Sequence, residues 1–252
     1  MNHAVTLESN DANRLWKTRY GVVCASRADD AVARSLQHYG EWAEQELDLL
    51  STLVREGDHT LEVGGELGAH ALWLSQAVGE RGQVHVVEPR RLHLQQICAN
   101  ISLNGLTNVH THALWLERES RRTPLADVLP AHAGTTGESV RSTSLDELGL
   151  DSLALIKVNF PGVLVPLLQG ATETLRAQRP LVYARLSEGQ TAVAEIRALK
   201  EAGYRCWSHL PYLYSAENFN GDSSNQFPGQ VHQNLIATPV ESRLEFERLR
   251  EI

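Results

Sequence analysis

The stretch Thr60-Leu61-Glu62-Val63-Gly64-Gly65-Glu66-Leu67-Gly68, followed by Val84-His85-Val86-Val87-Glu88-Pro89, constrains this chain more than any other part of it. A short run with strand character leads into glycines that let the backbone pass close to a ligand, and the helix that follows aims its unpaired amides at the same spot. Glu88 ends the next strand about 20 residues beyond the glycines, where a doubly wound fold places an acid to accept hydrogen bonds from both ribose hydroxyls. Pro89 stops that strand. The spacing points to an adenosine-bearing cofactor.

Missing residues narrow the choice. A dinucleotide site uses G-x-G-x-x-G to approach a pyrophosphate, whereas this loop offers Gly64, Gly65 and Gly68 with Glu62 and Glu66 beside them. Two carboxylates repel a pyrophosphate and favour a cofactor with a cationic amino group and a sulfonium, S-adenosylmethionine (SAM). The glycines alone suit a tight βα connection equally well. Glu62 together with Glu88-Pro89 selects the cofactor reading.

At 252 residues with 42% hydrophobic residues, the chain is long enough for one large core. We expect a cofactor domain over 57–240, preceded by an N-terminal extension and leading helix (1–56) and followed by a helical tail (241–252). The net charge of -8 excludes a duplex nucleic-acid binder, which needs a basic face. Cys24, Cys98 and Cys206 lack paired spacing, so neither a disulfide framework nor a zinc knuckle is implied, and a reducing cytoplasm fits best. Glu8, Asp11, Asp29 and Asp30 leave the N-terminus without an apolar core, and no stretch approaches the ~18 apolar residues that span a bilayer. No membrane partner is therefore expected; self-assembly is left open.

Strand and helix signals alternate along the chain. Gly40 to Arg55 reads as an amphipathic helix carrying Trp42, Leu47, Leu50 and Leu53, ahead of the strand at Thr60. Helices are expected over Leu67 to Val78, Arg90 to Leu103, Leu164 to Arg176 and Gln190 to Ala202. Strands are expected over Asn108 to His112, Leu153 to Val158, Pro180 to Leu186, Tyr204 to Leu210 and Asn234 to Ala237, with Val140 to Thr143 a short edge strand. This pattern predicts an α/β, Rossmann-like doubly wound sheet, mostly parallel, with helices on both faces. Ala216 to Gln233 is polar, long for a turn, and carries Phe219 and Phe227 to pin it down. It reads as a functional lid or as a surface insertion without a role.

The chain resembles the FkbM-type family of SAM-dependent methyltransferases. The likeness covers nearly the whole sequence and rests on ordered short motifs: Ser35-Leu36, Tyr39-Gly40-Glu41-Trp42 and Glu44; Glu62-Val63-Gly64 with Gly68; and Glu88-Pro89. It continues through Asn100 with Leu103-Asn104-Gly105-Leu106, Ser144-Leu145-Asp146-Glu147-Leu148 and Ile156-Lys157-Val158. Gly203-Tyr204-Arg205, Trp207, His209-Leu210-Pro211, Asn218-Phe219 and Asn234-Leu235 complete it. The resemblance implies a seven-stranded sheet and, often, O-methylation of sugars or secondary metabolites. It assigns Glu62, Gly64 and Gly68 to the methionine part, Glu88 to the ribose, and His112-Ala113 to the adenine edge; Gly65, Glu66 and Pro89 beside them are further candidate cofactor contacts. Glu41 and Glu44 would close over the cofactor from the leading helix.

The chain also departs from that family. Where Lys-x-Asp-x-Glu-Gly is usual it has Lys157-Val158-Asn159-Phe160-Pro161-Gly162, and Tyr183-Ala184 is followed by Arg185 instead of a glutamate. Methyl transfer from a sulfonium needs in-line positioning more than covalent help, but an aliphatic hydroxyl still needs a base or a metal to take its proton. Asn159 supplies neither; its amide oxygen is suited to orienting an amine. His209, at the end of a late strand, is the candidate base, with a packed histidine as the other reading. His110 and His112 share a strand face without a third metal ligand. Arg185, Asn218 and Asn234 are the candidate contacts to a small-molecule methyl acceptor. Three functions remain: an active methyltransferase, a degenerate SAM-binding protein serving as a partner or regulatory subunit, and a nicotinamide-dependent oxidoreductase, which the glycine spacing disfavours.

Overall fold

A computed structural model describes residues 13–26, 30–129 and 137–252. Glu8, Asp11 and Asp29 lie outside the described residues. The chain opens with a hairpin of β1 (Asn13–Thr18) and β2 (Gly21–Ser26), then helices α1 (Ala31–Tyr39) and α2 (Glu44–Ser51). β3 (His59–Val63), α3 (Ala69–Val78), β4 (Gln83–Val87), α4 (Arg91–Leu103) and β5 (Val109–His112) alternate next. A small sheet of β6 (Leu114–Leu116), β7 (Arg122–Pro124) and β8 (Ser139–Thr143) follows, with short helices α5 (Leu125–Val128) and α6 (Leu145–Leu148). The second half runs β9 (Leu153–Val158), α7 (Leu164–Gln169), α8 (Thr172–Gln178), β10 (Leu181–Arg185), α9 (Gly189–Glu201), β11 (Tyr204–His209), β12 (Asn234–Pro239) and β13 (Arg250–Glu251).

The main sheet has the order β13-β11-β12-β10-β9-β3-β4-β5. β5, β4, β3, β9 and β10 are parallel, and β12 runs antiparallel to both β10 and β11. Buried strands alternate between two cores. Leu155, Tyr183 and Ile236 join residues of α1 to α4, whereas Ile156, Val182 and Leu235 join residues of α7 to α9. Burial on both faces explains why β9 reads as a nearly continuous apolar run. This is the Rossmann-like, doubly wound class that the alternation predicts. From β3 the chain turns to β4 on one side, and β9 pairs on the other, so the point where strand order reverses lies between β3 and β9. Ligands of such sheets bind outside the carboxyl ends of the strands at that point.

Four local expectations are corrected. The leading helix begins only at Glu44, because Gly40 (φ 66°) and Ala43 (φ 44°) take left-handed conformations that a helix cannot continue through. The helix expected over 164–176 is broken at Gly170, which packs so close to the Glu117 carbonyl that a Cβ there would lie 2.5 Å from it. β8 is the centre of the small sheet, between β6 and β7, and not an edge. The 241–252 tail is not helical: Arg250 and Glu251 add an eighth strand beside Ser208 and Trp207. Pairing the open edge of β11 and covering Trp207 with Phe246 (ring centroids 5.1 Å apart) outweigh the weak helical stripe of Leu244 and Leu249. Among the described residues no helix is long and apolar enough to cross a membrane.

Candidate functional site

The loop after β3 is built by close approach. Gly64 has φ 89°, and a Cβ on it would sit 2.9 Å from the Phe160 ring; a Cβ on Gly65 would overlap Ile97 and Val86. Glu66 (φ 40°) and Leu67 (φ 65°) also lie in the left-handed region, which is uncommon for residues other than glycine and costs on the order of 1 kcal/mol each. Side-chain bonds hold Glu66 there: Oε1 accepts from Arg185 Nη1 (2.8 Å) and Oε2 from Trp42 Nε1 (2.7 Å). The loop thus ties the start of α3 to β10 and to the residues before α2.

A cavity of about 850 Å³ opens at the carboxyl ends of the strands. Its walls include Glu66 after β3, Arg90 after β4, Asn159, Phe160 and Pro161 after β9, and Arg185 at the end of β10, with Trp42 across from them. Gly229, Gln230, Val231 and His232 also line it, so the long polar segment is part of the cavity wall, together with Asp30 to Val32, His93 and Leu213. That segment is anchored: Phe227 is buried, Tyr39 Oη donates to the Ser224 carbonyl (2.9 Å), and the Phe219 N–H donates to Glu41 Oε2 (2.9 Å). Phe219 itself stays exposed.

The acids expected to face a cofactor are held by the protein's own donors. Glu88 is fully buried and accepts from Arg90 Nε and Nη2 (2.8 Å each), from the Arg90 N–H (2.9 Å) and from the Gly65 N–H (3.2 Å). The Arg90 guanidinium also lies 4.9 Å from the centre of the Phe160 ring. Glu62 is fully buried, and its Oε1 accepts from Asn159 Nδ2 (2.9 Å). Burial pushes the Glu62 carboxyl up to about 7, against the pull of Lys157. Burial and Lys157 bring His70, 3.9 Å away, down to about 4. For Glu66 burial is outweighed by Arg185, then Lys157 and His70, which bring it down to about 2.

Beneath the cavity lies a charge cluster that crosses four elements. Glu46 of α2 pairs with Lys157 of β9 (Oε2 to Nζ, 3.0 Å) and lies 3.6 Å from Arg185 Nη2. Its Oε1 accepts from Asn234 Nδ2 (2.9 Å) and contacts His232 Nδ1 (2.8 Å). Burial works against the Glu46 anion, but Lys157, the His232 bond and Arg185 hold it well below the usual carboxylate range. Buried charges persist only when paired in this way.

Of the residues named from sequence, Glu66, Asn159 and Arg185 meet at the cavity. Others are placed elsewhere. Asn159 Oδ1 accepts from Lys157 and its Nδ2 donates to Glu62 and to the Gly64 carbonyl, so its amide is not turned to orient an amine. Glu41 pairs with Arg19 (2.7 Å), and Glu44 accepts from Tyr20 Oη (2.5 Å), because both face the β1–β2 turn. His112 packs on His85 (Nε2 to Nδ1, 3.0 Å), and neither it nor the exposed Ala113 lines the cavity. His209 does not line it either; its Nδ1 meets Tyr183 Oη at 2.8 Å. Asn218 closes a turn onto Ser215 and Asp222, and Asn234 stands behind His232 on Glu46. Among the described residues no group of three His, Cys, Asp or Glu side chains could hold a metal ion. Sequence reasoning passed over Arg90, Glu46 and His232. Arg90 was findable beside Glu88-Pro89; the Glu46–His232 pair joins residues 186 positions apart and leaves no local signal.

No family model matches this sequence, and no curated protein does. Solved structures match. They include methyltransferase FkbM from Methylobacillus flagellatus, with 14% identity and a TM-score of 0.51 over 83% of this chain and 55% of that one. A SAM-dependent O-methyltransferase from Thermotoga maritima matches with 14% identity and a TM-score of 0.52, over 93% of this chain and 88% of its own. Precorrin-6y C5,15-methyltransferase from Geobacter metallireducens matches with 12% identity and a TM-score of 0.52, over 77% and 88%. This chain spans about half the length of the FkbM structure. At such identities the common property is the fold, which is that of SAM-dependent methyltransferases.

Proposed function

We propose that this chain is a SAM-dependent methyltransferase of the FkbM kind, acting in a reducing cytoplasm on a hydroxyl or amine of a small molecule. The observation that carries the reading is the cavity's position, at the carboxyl edge of the sheet between β3 and β9, beneath a glycine loop and beside a carboxylate that follows β4. The donor chemistry fits an adenosyl group by one exchange. Glu88 is acceptor-only and already takes two hydrogen bonds from a side chain on the cavity wall; a ribose diol offers two donors to the same two oxygens. Glu88 would hold the ribose, and the loop from Gly64 to Gly68 the methionine part. Bound SAM would supply an activated methyl group on a sulfonium. Trp42 and Phe160 give the cavity apolar surface that excludes water from the reacting centre.

Calorimetric titration with SAM, with NAD as the control, tests the reading. Mass spectrometry then searches candidate acceptors for a gain of one methyl group. SAM binding and a methylated product support it, and binding of NAD in place of SAM contradicts it. SAM binding without any product would favour the degenerate partner or regulatory subunit.

A further inference from the structure

His232 has the surroundings of a general base, and sequence reasoning did not reach it. Its side chain lines the cavity and is 13% exposed, and its ring stands edge-on to Trp42 (centroids 5.4 Å apart, planes at 71°). Its backbone N–H donates to the Pro211 carbonyl (3.0 Å), which fixes the residue on the cavity wall. Nδ1 lies 2.8 Å from Glu46 Oε1. Glu46 is buried, is paired with Lys157, and accepts from Asn234 as well. An ionised carboxylate only accepts hydrogen bonds, so Nδ1 must carry a proton, and in the neutral ring that leaves the lone pair on Nε2. Nε2 has no hydrogen-bond partner among the described residues. A carboxylate that sets an imidazole's tautomer and offsets the charge it gains on protonation is a recurrent arrangement for taking a proton from a hydroxyl.

We propose that His232, oriented by Glu46, is the base that takes the proton from a hydroxyl acceptor in this cavity, which makes the acceptor an alcohol or phenol and not an amine. The proposal rests on the methyltransferase reading and names the acceptor class for it. In the step, the acceptor oxygen forms a bond to the methyl carbon, and the electron pair of the broken carbon–sulfur bond stays on sulfur. The hydroxyl proton goes to His232 Nε2, and Glu46 offsets the resulting imidazolium. Arg185 and Lys157 keep Glu46 ionised through the cycle, so the proton remains on the imidazole until it is lost to solvent.

Two measurements test this. Long-range 1H–15N NMR of the cofactor-free protein at neutral pH, with the signal assigned through His232→Gln, reads the tautomer directly. The Nδ1–H form with an unprotonated Nε2 is expected; an Nε2–H form or a full imidazolium overturns the proposal. Kinetics with the acceptor returned by the product screen provide the second readout. His232→Gln should lower kcat by about 10²–10⁴-fold while the Kd for SAM stays within about twofold. An amine acceptor, or a loss of kcat with His209→Gln and none with His232→Gln, overturns it. Failure of the methyltransferase reading would show as absence of SAM binding, a result separate from the tautomer.

Discussion

Arg90 holds both oxygens of Glu88, Nε donating to Oε1 and Nη2 to Oε2 at 2.8 Å each, and it does so from the wall of the cavity. A ribose that reaches Glu88 must take over those bonds. Replacing Arg90 by Gln removes the charged fork and leaves a neutral side chain that is easier to displace. We predict that the Kd for SAM tightens about tenfold in Arg90→Gln, corresponding to ~1.4 kcal/mol of displacement no longer required. Calorimetry checks this; unchanged or weaker binding would mean that Arg90 is not in the ligand's way.

Glu66 sets backbone preference against charge pairing. Glycine would relieve the left-handed conformation by on the order of 1 kcal/mol, but it would remove the carboxylate to which Arg185 Nη1 and the Trp42 N–H donate. Breaking a buried pair costs about 3–5 kcal/mol, so the charge term wins. Glu66→Gly should therefore destabilise the protein in urea unfolding, and Glu66→Gly with Arg185→Met should recover most of the loss.

Glu62 makes stability fall as pH rises. Its folded carboxyl is raised to about 7 from an ordinary 4.5, so its contribution is fully present below about 4.5 and is lost as pH climbs through 7. Glu62→Gln keeps an acceptor for Asn159 and removes the titration. The variant should match the wild type near pH 4.5 and exceed it at pH 8 by up to ~3 kcal/mol. The His85 side chain, brought down to about 4 by burial and by His112 and His110, acts in the opposite sense. Its contribution is lost as pH falls from about 6.5 towards 4, so His85→Asn should flatten the acid limb of a thermal-melting series.

The carboxyl-terminal strand is held by an aromatic contact more than by its ion pairs. Arg205 bonds Glu245 (2.7 Å) and Glu251 (3.0 Å), but both acids are exposed, and such pairs contribute ~0–1 kcal/mol. Phe246 covers the buried Trp207 ring. Phe246→Ala should lower stability by about 1–3 kcal/mol, more than Arg205→Gln does. Paired denaturant melts decide, and the reverse order would contradict this view of the tail.

Much of the fold was legible because periodicity is local. β9 spans the Leu153 to Val158 run read from sequence, and α4 starts one residue after the expected Arg90. The β1–β2 hairpin lies within the expected N-terminal extension, and what stabilises it is distant in sequence: Asn100 and Asn104 of the α4 region bond the backbone of Cys24 and Val22. The site was legible only in its frame. Glu62 and Glu88 do stand at strand ends beside the glycine loop, but their partners, Asn159 and Arg90, decide what those carboxylates face. Lys157 interrupts an apolar run, and only the tertiary structure brings Glu46 within 3.0 Å of it. Long-range charge pairing leaves no period in the sequence, and His232 escaped notice for that reason.

A crystal structure of the protein with S-adenosylhomocysteine decides whether Glu88 holds a ribose. The adenosine should lie in the cavity beside Phe160, with both ribose hydroxyls within about 2.6–3.2 Å of the Glu88 oxygens and the Arg90 guanidinium withdrawn from them. A nucleoside bound elsewhere, or Arg90 still holding Glu88 with the ligand in place, would contradict it.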